Sequence, residues 1–138
     1  MAQTVDALDH LVLTVSNIEA TVKSYRSVLF MTVERFGAAD GTLRTALKFG
    51  DQKINLHQAG QEFEPKADRP VPGSADLCFL TNRSVGALSA HLAKNTVVVE
   101  GGPILRTGAT GPLTSISIRE PGAKLIEMSI PTAHVPDP

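Results

Sequence analysis

The sequence predicts an α+β fold made of two tandem modules, each in the order strand, helix, strand, strand, strand. Three observations support this prediction. Short segments in which apolar and polar residues alternate outnumber the two segments with helical periodicity. Turn residues such as Gly37 and the pairs Asp40–Gly41 and Gly50–Asp51 separate the short segments. The same order of elements occurs on both sides of a proline-rich stretch, which indicates an internal repeat.

The first module is expected at about residues 6–59. Its first strand is "LDHLVLTV" (8–15), which alternates and is rich in β-branched residues. A helix is expected in "SNIEATVKSYRSVLF" (16–30), with Ser16 or Asn17 as N-cap and apolar residues at three- and four-residue spacing. Three short antiparallel strands complete the module: "MTVERFG" (31–37), "TLRTALKFG" (42–50) and "QKINLHQA" (52–59).

The second module is expected at about residues 75–131, after a loop at 60–74 that contains three prolines and no periodicity. It begins with the strand "ADLCFLT" (75–81) and the helix "NRSVGALSAHLAKN" (82–95). The remaining strands are "TVVVEGG" (96–102), "TSISIRE" (114–120) and "KLIEMSI" (124–130), the last two joined in a hairpin by "EPGAK". The whole chain, 1–138, has the usual length of a single domain.

Composition excludes several classes of function. The net charge is −1 and no block of like charges occurs, so neither a nucleic acid nor an anionic membrane is an expected partner. No apolar run approaches the roughly 18–20 residues of a membrane span, and the first residues do not resemble a signal peptide. The single cysteine, Cys78, fits a reducing compartment. A soluble, cytoplasmic protein is therefore expected.

The first, fourth, fifth, seventh and eighth predicted strands each have one uninterrupted apolar face, because successive side chains point to opposite sides of a strand. The apolar faces are expected to cover the helices. The opposite faces carry His10, Asn55, His57, Asp76, Cys78, Ser115, Ser117 and Glu127. A sheet with one buried and one solvated face produces the same alternation without any site. Cys78 by itself is expected to be a small buried hydrophobe.

The internal repeat places the polar residues of the two modules at corresponding positions. Placing His10 over Asp76 aligns "HLVLTVSN" with "DLCFLTNR" and puts His57 and Glu127 at corresponding places on the fourth strands. If the two sheets curl towards each other, their polar faces line a cup in which two imidazoles and one or two carboxylates meet. Such a set suits a borderline divalent metal and leaves coordination positions open for a substrate.

With these residues on its strands, the chain resembles the vicinal oxygen chelate superfamily of glyoxalase I, fosfomycin- and bleomycin-resistance proteins and extradiol dioxygenases. Within it, the chain is most similar to glyoxalase-domain-containing protein 5 and the related bacterial lactoylglutathione-lyase-like proteins. The resemblance spreads over nearly the whole chain. It is carried by "LDHLVLTV", "QKINLH", "EFEPKA", "EGGPILRTGATGP" and "LIEMS".

The resemblance implies a U-shaped, mostly antiparallel sheet, the glyoxalase/dioxygenase fold, around one divalent metal ion (Zn, Ni, Mn or Fe). Carried over residue by residue, the metal ligands are His10, His57 and Glu127. Asp76 occupies the remaining ligand position. Small members of the superfamily often build the site from modules of two subunits, so the resemblance also implies a homodimer with shared sites.

The chemistry expected first is that of a metal-dependent lyase or isomerase acting on a small vicinal-oxygen substrate. The metal would stabilise an oxyanion or enolate, and Glu127 or Asp76 would act as the general base. Arg106 and Lys66, both placed in loops, would hold an anionic tail of the substrate. The expected substrate-binding residues are Arg106, Lys66, Asn55 and Ser117.

Two other functions remain open at this point. Two histidines and one carboxylate form the facial triad of an extradiol-type Fe(II) dioxygenase. A metal-free binding protein of the bleomycin-resistance kind would use the same fold without catalysis. Metal content and catechol turnover distinguish the three hypotheses.

Overall fold

The structure, a computed structural model, describes residues 4–132 of the 138-residue chain. Within this range the order strand, helix, strand, strand, strand occurs twice, which confirms the predicted α+β class and its double module. The chain divides into two compact units, Met1–Pro72 (unit 1) and Gly73–Pro138 (unit 2). The boundary between them lies in the loop predicted at 60–74.

Unit 1 contains five elements in the predicted order. They are β1 (His10–Val15), α1 (Ile18–Ser27), β2 (Thr32–Gly37), β3 (Leu43–Phe49) and β4 (Gln52–Gln58). The strands form one mixed sheet in the order β1-β4-β3-β2. The pair β1–β4 is parallel, and the other two pairs are antiparallel.

The helix α1 is shorter than the segment predicted for it. Asn17 is its N-cap, with the side-chain Oδ1 accepting a hydrogen bond from the Ala20 N–H at 2.9 Å. The helix ends at Ser27, and Phe30, which was included in the predicted helix, has a positive φ of 56°. A residue in that conformation cannot continue a right-handed helix. The buried side of α1 carries Thr21, Val22 and Tyr25.

The apolar face predicted for β1 and β4 is the core face of unit 1. Leu13, Val15, Ile54 and Leu56 are each no more than 5% exposed. The register pairs Leu13 with Leu56, so these side chains lie on one side of the sheet. Burying each of them stabilises the fold by about 1.5–3 kcal/mol. The polar side chains therefore occupy the opposite face of the sheet.

Unit 2 repeats this topology. Its elements are β5 (Asp76–Leu80), α2 (Val85–Lys94), β6 (Val99–Thr107), β7 (Pro112–Arg119) and β8 (Leu125–Pro131). The sheet order is β5-β8-β7-β6, with β5 and β8 parallel. Both helices are ten residues long, and no helix among residues 4–132 is long and apolar enough to cross a membrane.

The strand β6 differs most from its prediction, because it starts later and continues to Thr107. Its register against β7 shifts twice, between Val99 and Gly101 and between Gly101 and Ile104. Such irregularities are β-bulges, and they let a strand continue through residues that otherwise indicate its end. Arg106, which was predicted to lie in a loop, therefore lies in a strand, and that prediction is wrong.

Candidate functional site: two pockets on the polar sheet faces

The register of unit 2 gathers polar side chains on one face of its sheet. Cys78 of β5 pairs with Glu127 of β8, which pairs in turn with Ser117 of β7. In the next row, Ser129 of β8 pairs with Ser115 of β7. Paired residues in neighbouring strands point to the same side. The strand faces predicted from alternation are therefore correct in this unit.

A cavity of about 730 Å³ opens on this face of unit 2. Its size lies within the ~300–1,000 Å³ typical of pockets for small molecules. Leucines from three strands give it apolar walls. The charged and polar side chains that line it are Asp76, Cys78, Arg106, Ser115 and Glu127. Three residues that the sequence indicated separately, Asp76, Arg106 and Glu127, thus lie around one pocket.

The charged groups of this pocket are unpaired. Among residues 4–132, the side chains of Asp76, Arg106 and Glu127 have neither a hydrogen bond nor an ion pair. The guanidinium group is a permanent cation with five N–H donors, and an ionised carboxylate is an acceptor only. Charges that no protein group neutralises in a concave site are available to a ligand.

A chain of hydrogen bonds beside these charges connects two buried serines to Cys78. The hydroxyl oxygens of Ser115 and Ser129 are 2.6 Å apart, and the Cys78 Sγ lies 3.1 Å from the Ser129 Oγ. Both serines are at most 1% exposed, whereas Cys78 is exposed. The expectation of a buried cysteine is wrong because β5 is the edge strand of its sheet and the pocket opens beside it.

Unit 1 has a smaller cavity, of about 210 Å³, on its own polar face. Val12 and Thr14 of β1 and His57 of β4 form one side of it. The loop supplies the other side with Pro65, Lys66, Ala67 and Pro70. His57 and Lys66, which the sequence indicated for different roles, therefore line one pocket whose lining residues all belong to unit 1.

His57 is buried in an aromatic and cationic environment. His57 is 9% exposed. Its ring packs edge-on against the Phe63 ring, with 5.5 Å between the two ring centroids. The Arg44 guanidinium lies 3.6 Å above the same Phe63 ring. Burial lowers the pKa of His57, the positive charge of Arg44 lowers it further, and the negative charge of Glu62 acts in the opposite direction. The imidazole is consequently neutral at pH 7.

The two histidines expected to bind one metal ion are far apart along paired strands. His10 pairs with Lys53, whereas His57 pairs with Thr14. Four residues at ~3.3 Å each separate the two positions by about 13 Å. Two nitrogens bound to one ion at ~2.1 Å lie within about 4 Å of each other. The imidazoles of His10 and His57 therefore do not fit one ion within unit 1.

His10 has a different environment from His57. Its Nδ1 lies 2.7 Å from the Asp9 carboxylate, and its side chain is about half exposed. Among residues 4–132, no group of three or more His, Cys, Asp or Glu side chains is arranged to hold a metal ion. The donor set that the family resemblance implies for a divalent ion is thus not assembled within either unit.

The structure also corrects the predicted equivalence of His57 and Glu127. Glu127 pairs with Cys78, the third residue of β5. The third residue of β1 is Val12, and its partner is Asn55. Asn55, and not His57, is therefore the structural equivalent of Glu127. The connections between first and fourth strands differ in length, so counting residues across a module does not preserve register.

Asn55 and Ser117, the remaining predicted substrate contacts, line neither of these two pockets. Asn55 Oδ1 is buried and has no hydrogen-bond partner among the described residues. Ser117 lies next to Gly101, where an added Cβ would be 3.8 Å from the Ser117 Cβ. Their assignment as substrate-binding residues stays a prediction.

Comparison with known proteins identifies the family to which this fold belongs. Virulence protein STM3117 from Salmonella typhimurium is 49% identical over 125 residues, which are 91% of this chain and 84% of that protein. Its crystal structure superposes with a TM-score of 0.86 over 94% of this chain and 100% of that chain, at 46% identity. Glyoxalase domain-containing protein RDO1 from Mycosarcoma maydis is 49% identical over 125 residues, 91% of this chain and 68% of that protein.

The chain belongs to the glyoxalase-domain family of the vicinal oxygen chelate superfamily. No family model matches the chain. A more distant member of the superfamily, the fosfomycin resistance protein FosX from Listeria monocytogenes, was solved with Mn(II) and a dihydroxypropylphosphonic acid. It shares 14% identity and a TM-score of 0.63 over 94% of each chain, a likeness that concerns the fold alone. Distant superfamily members therefore bind divalent metals, and the fold is one that binds small molecules.

Proposed function

We propose that this glyoxalase-family protein is a lyase or isomerase that acts on a small anionic substrate with two neighbouring oxygens, in the pocket of unit 2. The observation that carries the proposal is the set of unpaired charges, Asp76, Arg106 and Glu127, around a cavity of small-molecule size. Two carboxylates and one guanidinium around one cavity supply what such a reaction needs: a base that can return the proton it takes up, a second hydrogen-bond acceptor and an anchor for an anion.

The roles follow from the chemistry of each group. The guanidinium group of Arg106 binds the anionic end of the substrate through paired N–H donors. Glu127 takes the proton from the carbon next to a substrate carbonyl, as a positioned carboxylate base does. The Glu127 carboxyl group, protonated in that step, returns the same proton to the neighbouring position, while the Asp76 carboxylate accepts a hydrogen bond from the substrate hydroxyl. The leucine walls exclude water from one side of the substrate and strengthen these electrostatic interactions.

A divalent ion and a homodimer form a further part of the proposal. Asp76 and Glu127 provide two carboxylate ligands for a metal ion in one pocket. A catalytic metal centre takes about three protein ligands and a water. The remaining metal ligands would have to come from outside this pocket. The family suggests that a second copy of the chain supplies them. Metal analysis for Zn, Ni, Mn and Fe on untagged protein, separated by oligomeric state, tests this part. A location in the cytoplasm rests on the single cysteine of the sequence.

Proton exchange tests the enzymatic proposal without a known product. Small 2-oxo and 2-hydroxy acids are incubated with the protein in D₂O. The incorporation of deuterium at the carbon next to the substrate carbonyl is followed by NMR. The native protein is expected to accelerate exchange, and Glu127→Gln to reduce it to background because an amide takes up no proton. Glu19→Gln, at an exposed helix position of unit 1, is the matched control and keeps the native rate. Equal rates for the native protein and Glu127→Gln would contradict the proposal.

The second candidate function is a metal-free binding protein. The observation that favours it is that no group of three metal-binding side chains occurs among residues 4–132. A binding protein takes up the same acids without exchange, and Arg106→Met weakens that binding while Glu127→Gln leaves it in place. Stoichiometric iron with oxygen consumption on catechols would instead favour the dioxygenase.

A further inference from the structure

Residues 62–70, which we call the flap, lie beside the polar face of the unit 1 sheet and are attached to it at few points. Among the described residues, the hydrogen bonds and ion pairs of the flap join its residues to one another or to the adjacent Gly60 and Val71, and none of them reaches a strand. Residues 64–69 are all exposed. Segments with few fixed contacts and exposed backbone open locally at a small cost in free energy.

The ring of Phe63 is the group that joins the flap to the strands. On one side it packs edge-on against the His57 ring of β4, and on the other its face carries the Arg44 guanidinium of β3 at 3.6 Å. A cation over the face of an aromatic ring is attracted by the quadrupole of that ring. Phe63 therefore attaches the flap to two neighbouring strands at once.

Arg44 is held in position for this contact by groups outside the flap. Its guanidinium Nη2 donates to Asp40 Oδ2 at 3.1 Å, and its Nε donates to Thr42 Oγ1 at 3.1 Å. Both partners belong to the turn that precedes β3. Because these bonds already restrict the side chain, little further rotamer freedom of Arg44 is lost when the Phe63 ring packs on it.

The rest of the flap does not pack closely on the sheet. A cavity of about 210 Å³ lies between residues 65–70 on one side and Val12, Thr14 and His57 on the other. Atoms that face an empty space lose the dispersion contacts that a packed neighbour would give. This part of the flap therefore contributes little to its attachment, and closure depends on Phe63.

We propose that the flap opens and closes while the rest of unit 1 stays folded, and that the Phe63 ring between Arg44 and His57 holds it closed. Opening uncovers the His57 side chain, which is 9% exposed while the flap is closed. The flap and its contacts all belong to unit 1, so the motion does not depend on the reaction proposed for unit 2.

Limited proteolysis with trypsin tests this proposal, because a protease needs an extended, detached segment. The bond after Lys66 is the flap site, and the bond after Lys23, in α1, is the helix site that reports unfolding of unit 1. Mass spectrometry follows both bonds at increasing urea concentration. Flap-site cleavage in the native protein is expected to be slower than in a peptide of residues 58–74. It should hardly change with urea, because local opening exposes little surface, whereas helix-site cleavage should rise steeply.

Variants on both sides of the ring contact test the role of Phe63. Phe63→Leu keeps an apolar side chain and is expected to raise flap-site cleavage about fivefold or more, because the cation–π contact is lost. Arg44→Met should act in the same direction with the ring intact, and Phe63→Tyr, which keeps a ring, should retain the native rate. Helix-site cleavage should stay unchanged in Phe63→Leu. Phe36→Leu is the matched control: its ring lies 5.0 Å from the Lys53 Nζ, outside the flap, and the native rate is expected.

Four results would overturn the proposal. Flap-site cleavage as fast as in the peptide would show that the flap is not closed, and equal urea dependence at both sites would show that it opens only by unfolding. Native rates in Phe63→Leu and Arg44→Met, or equal acceleration at both sites, would show that the ring does not hold the flap in particular. The fourth result concerns acylation of His57 by diethyl pyrocarbonate. Faster acylation in Phe63→Leu supports the uncovering of His57, and an unchanged rate contradicts it.

Discussion

Asn55 in unit 1 and Glu127 in unit 2 occupy the same register position, each paired with the third residue of the parallel edge strand. The backbone repeat is thus preserved while the chemistry at this position differs. Glu127 lines a pocket without a partner, whereas the Asn55 Oδ1 is buried without a partner. An amide carries no charge and takes up no proton at neutral pH. At this position, therefore, only unit 2 has a side chain, Glu127, that can accept a proton.

Asn55→Leu is expected to stabilise the protein. The substitution removes a buried acceptor that has no hydrogen bond, and such a group costs about 1–3 kcal/mol. Part of this gain is offset by imperfect packing of the new side chain, so we expect the free energy of unfolding to rise by about 1 kcal/mol. Urea denaturation measures the change. Asn95→Leu is the control, because the Asn95 Nδ2 donates to the His91 carbonyl at 2.9 Å and its loss should destabilise the protein. A loss of stability in Asn55→Leu would contradict the prediction.

The hydrogen-bonded serines below the unit 2 pocket are expected to be energetically coupled. Ser129→Ala leaves the buried Ser115 hydroxyl without the partner at 2.6 Å, and we expect a loss of about 1–3 kcal/mol. In the double variant Ser115→Ala/Ser129→Ala both hydroxyls are absent, so its loss should be smaller than the sum of the single losses. Urea denaturation of the four proteins in this cycle measures the coupling. Additive losses would show that the two hydroxyls do not stabilise each other.

Local patterns in the sequence predicted the strands and their faces, because alternation acts within one strand and needs no knowledge of distant residues. Leu13 and Leu56 illustrate this, since both were placed on the apolar face and both are buried. The equivalence of His57 and Glu127 failed because it depended on counting residues through turns of different length. Asp76, Arg106 and Glu127 were each indicated by the sequence, but their common pocket follows from the sheet register of unit 2.

Two other differences have local physical causes. A strand is expected to end at a segment such as Gly101–Pro103, because glycine and proline usually interrupt strands. In β6 this segment forms a bulge instead, and the strand continues to Thr107. The exposure of Cys78 depends on which strand is at the edge of the sheet, and strand order cannot be deduced from alternation. The alternation within one segment predicts neither a cavity nor a hydrogen bond between strands that are distant in the sequence.

Gly102→Ala is expected to destabilise unit 2 and to displace Arg106. Gly102 has a φ of +86°, and an added Cβ would lie 2.2 Å from the Ser115 carbonyl oxygen. The left-handed conformation costs a non-glycine residue about 1–2 kcal/mol, and the overlap about 1–3 kcal/mol more. Thermal and urea denaturation measure the loss. Gly86→Ala is the matched control: nothing lies within 4 Å of its added Cβ, and in a helix the change should stabilise by up to ~1 kcal/mol. Similar effects at both glycines would mean that the β6 bulge carries no steric constraint.

His57 is expected to make the stability of the protein fall as the pH is lowered. Burial and the nearby charge of Arg44 lower its pKa from the ordinary 6.5, while Glu62 opposes the shift. As the pH falls through 6.5, the unfolded chain takes up a proton at this residue before the folded protein does. Stability therefore rises with pH across this interval and is lost as protons bind to the unfolded state.

Denaturation with urea at a pH of about 5.5 and about 7.5 measures this effect. In the native protein the free energy of unfolding should be lower at the acidic pH. In His57→Gln the difference between the two pH values should shrink, because the residue that takes up the proton in the unfolded chain is absent. His91→Gln, on α2 in unit 2, should keep the native difference because it leaves the cluster of His57, Phe63 and Arg44 unchanged. If His57→Gln retains the full pH dependence, the imidazole is not desolvated in the folded protein as its burial indicates.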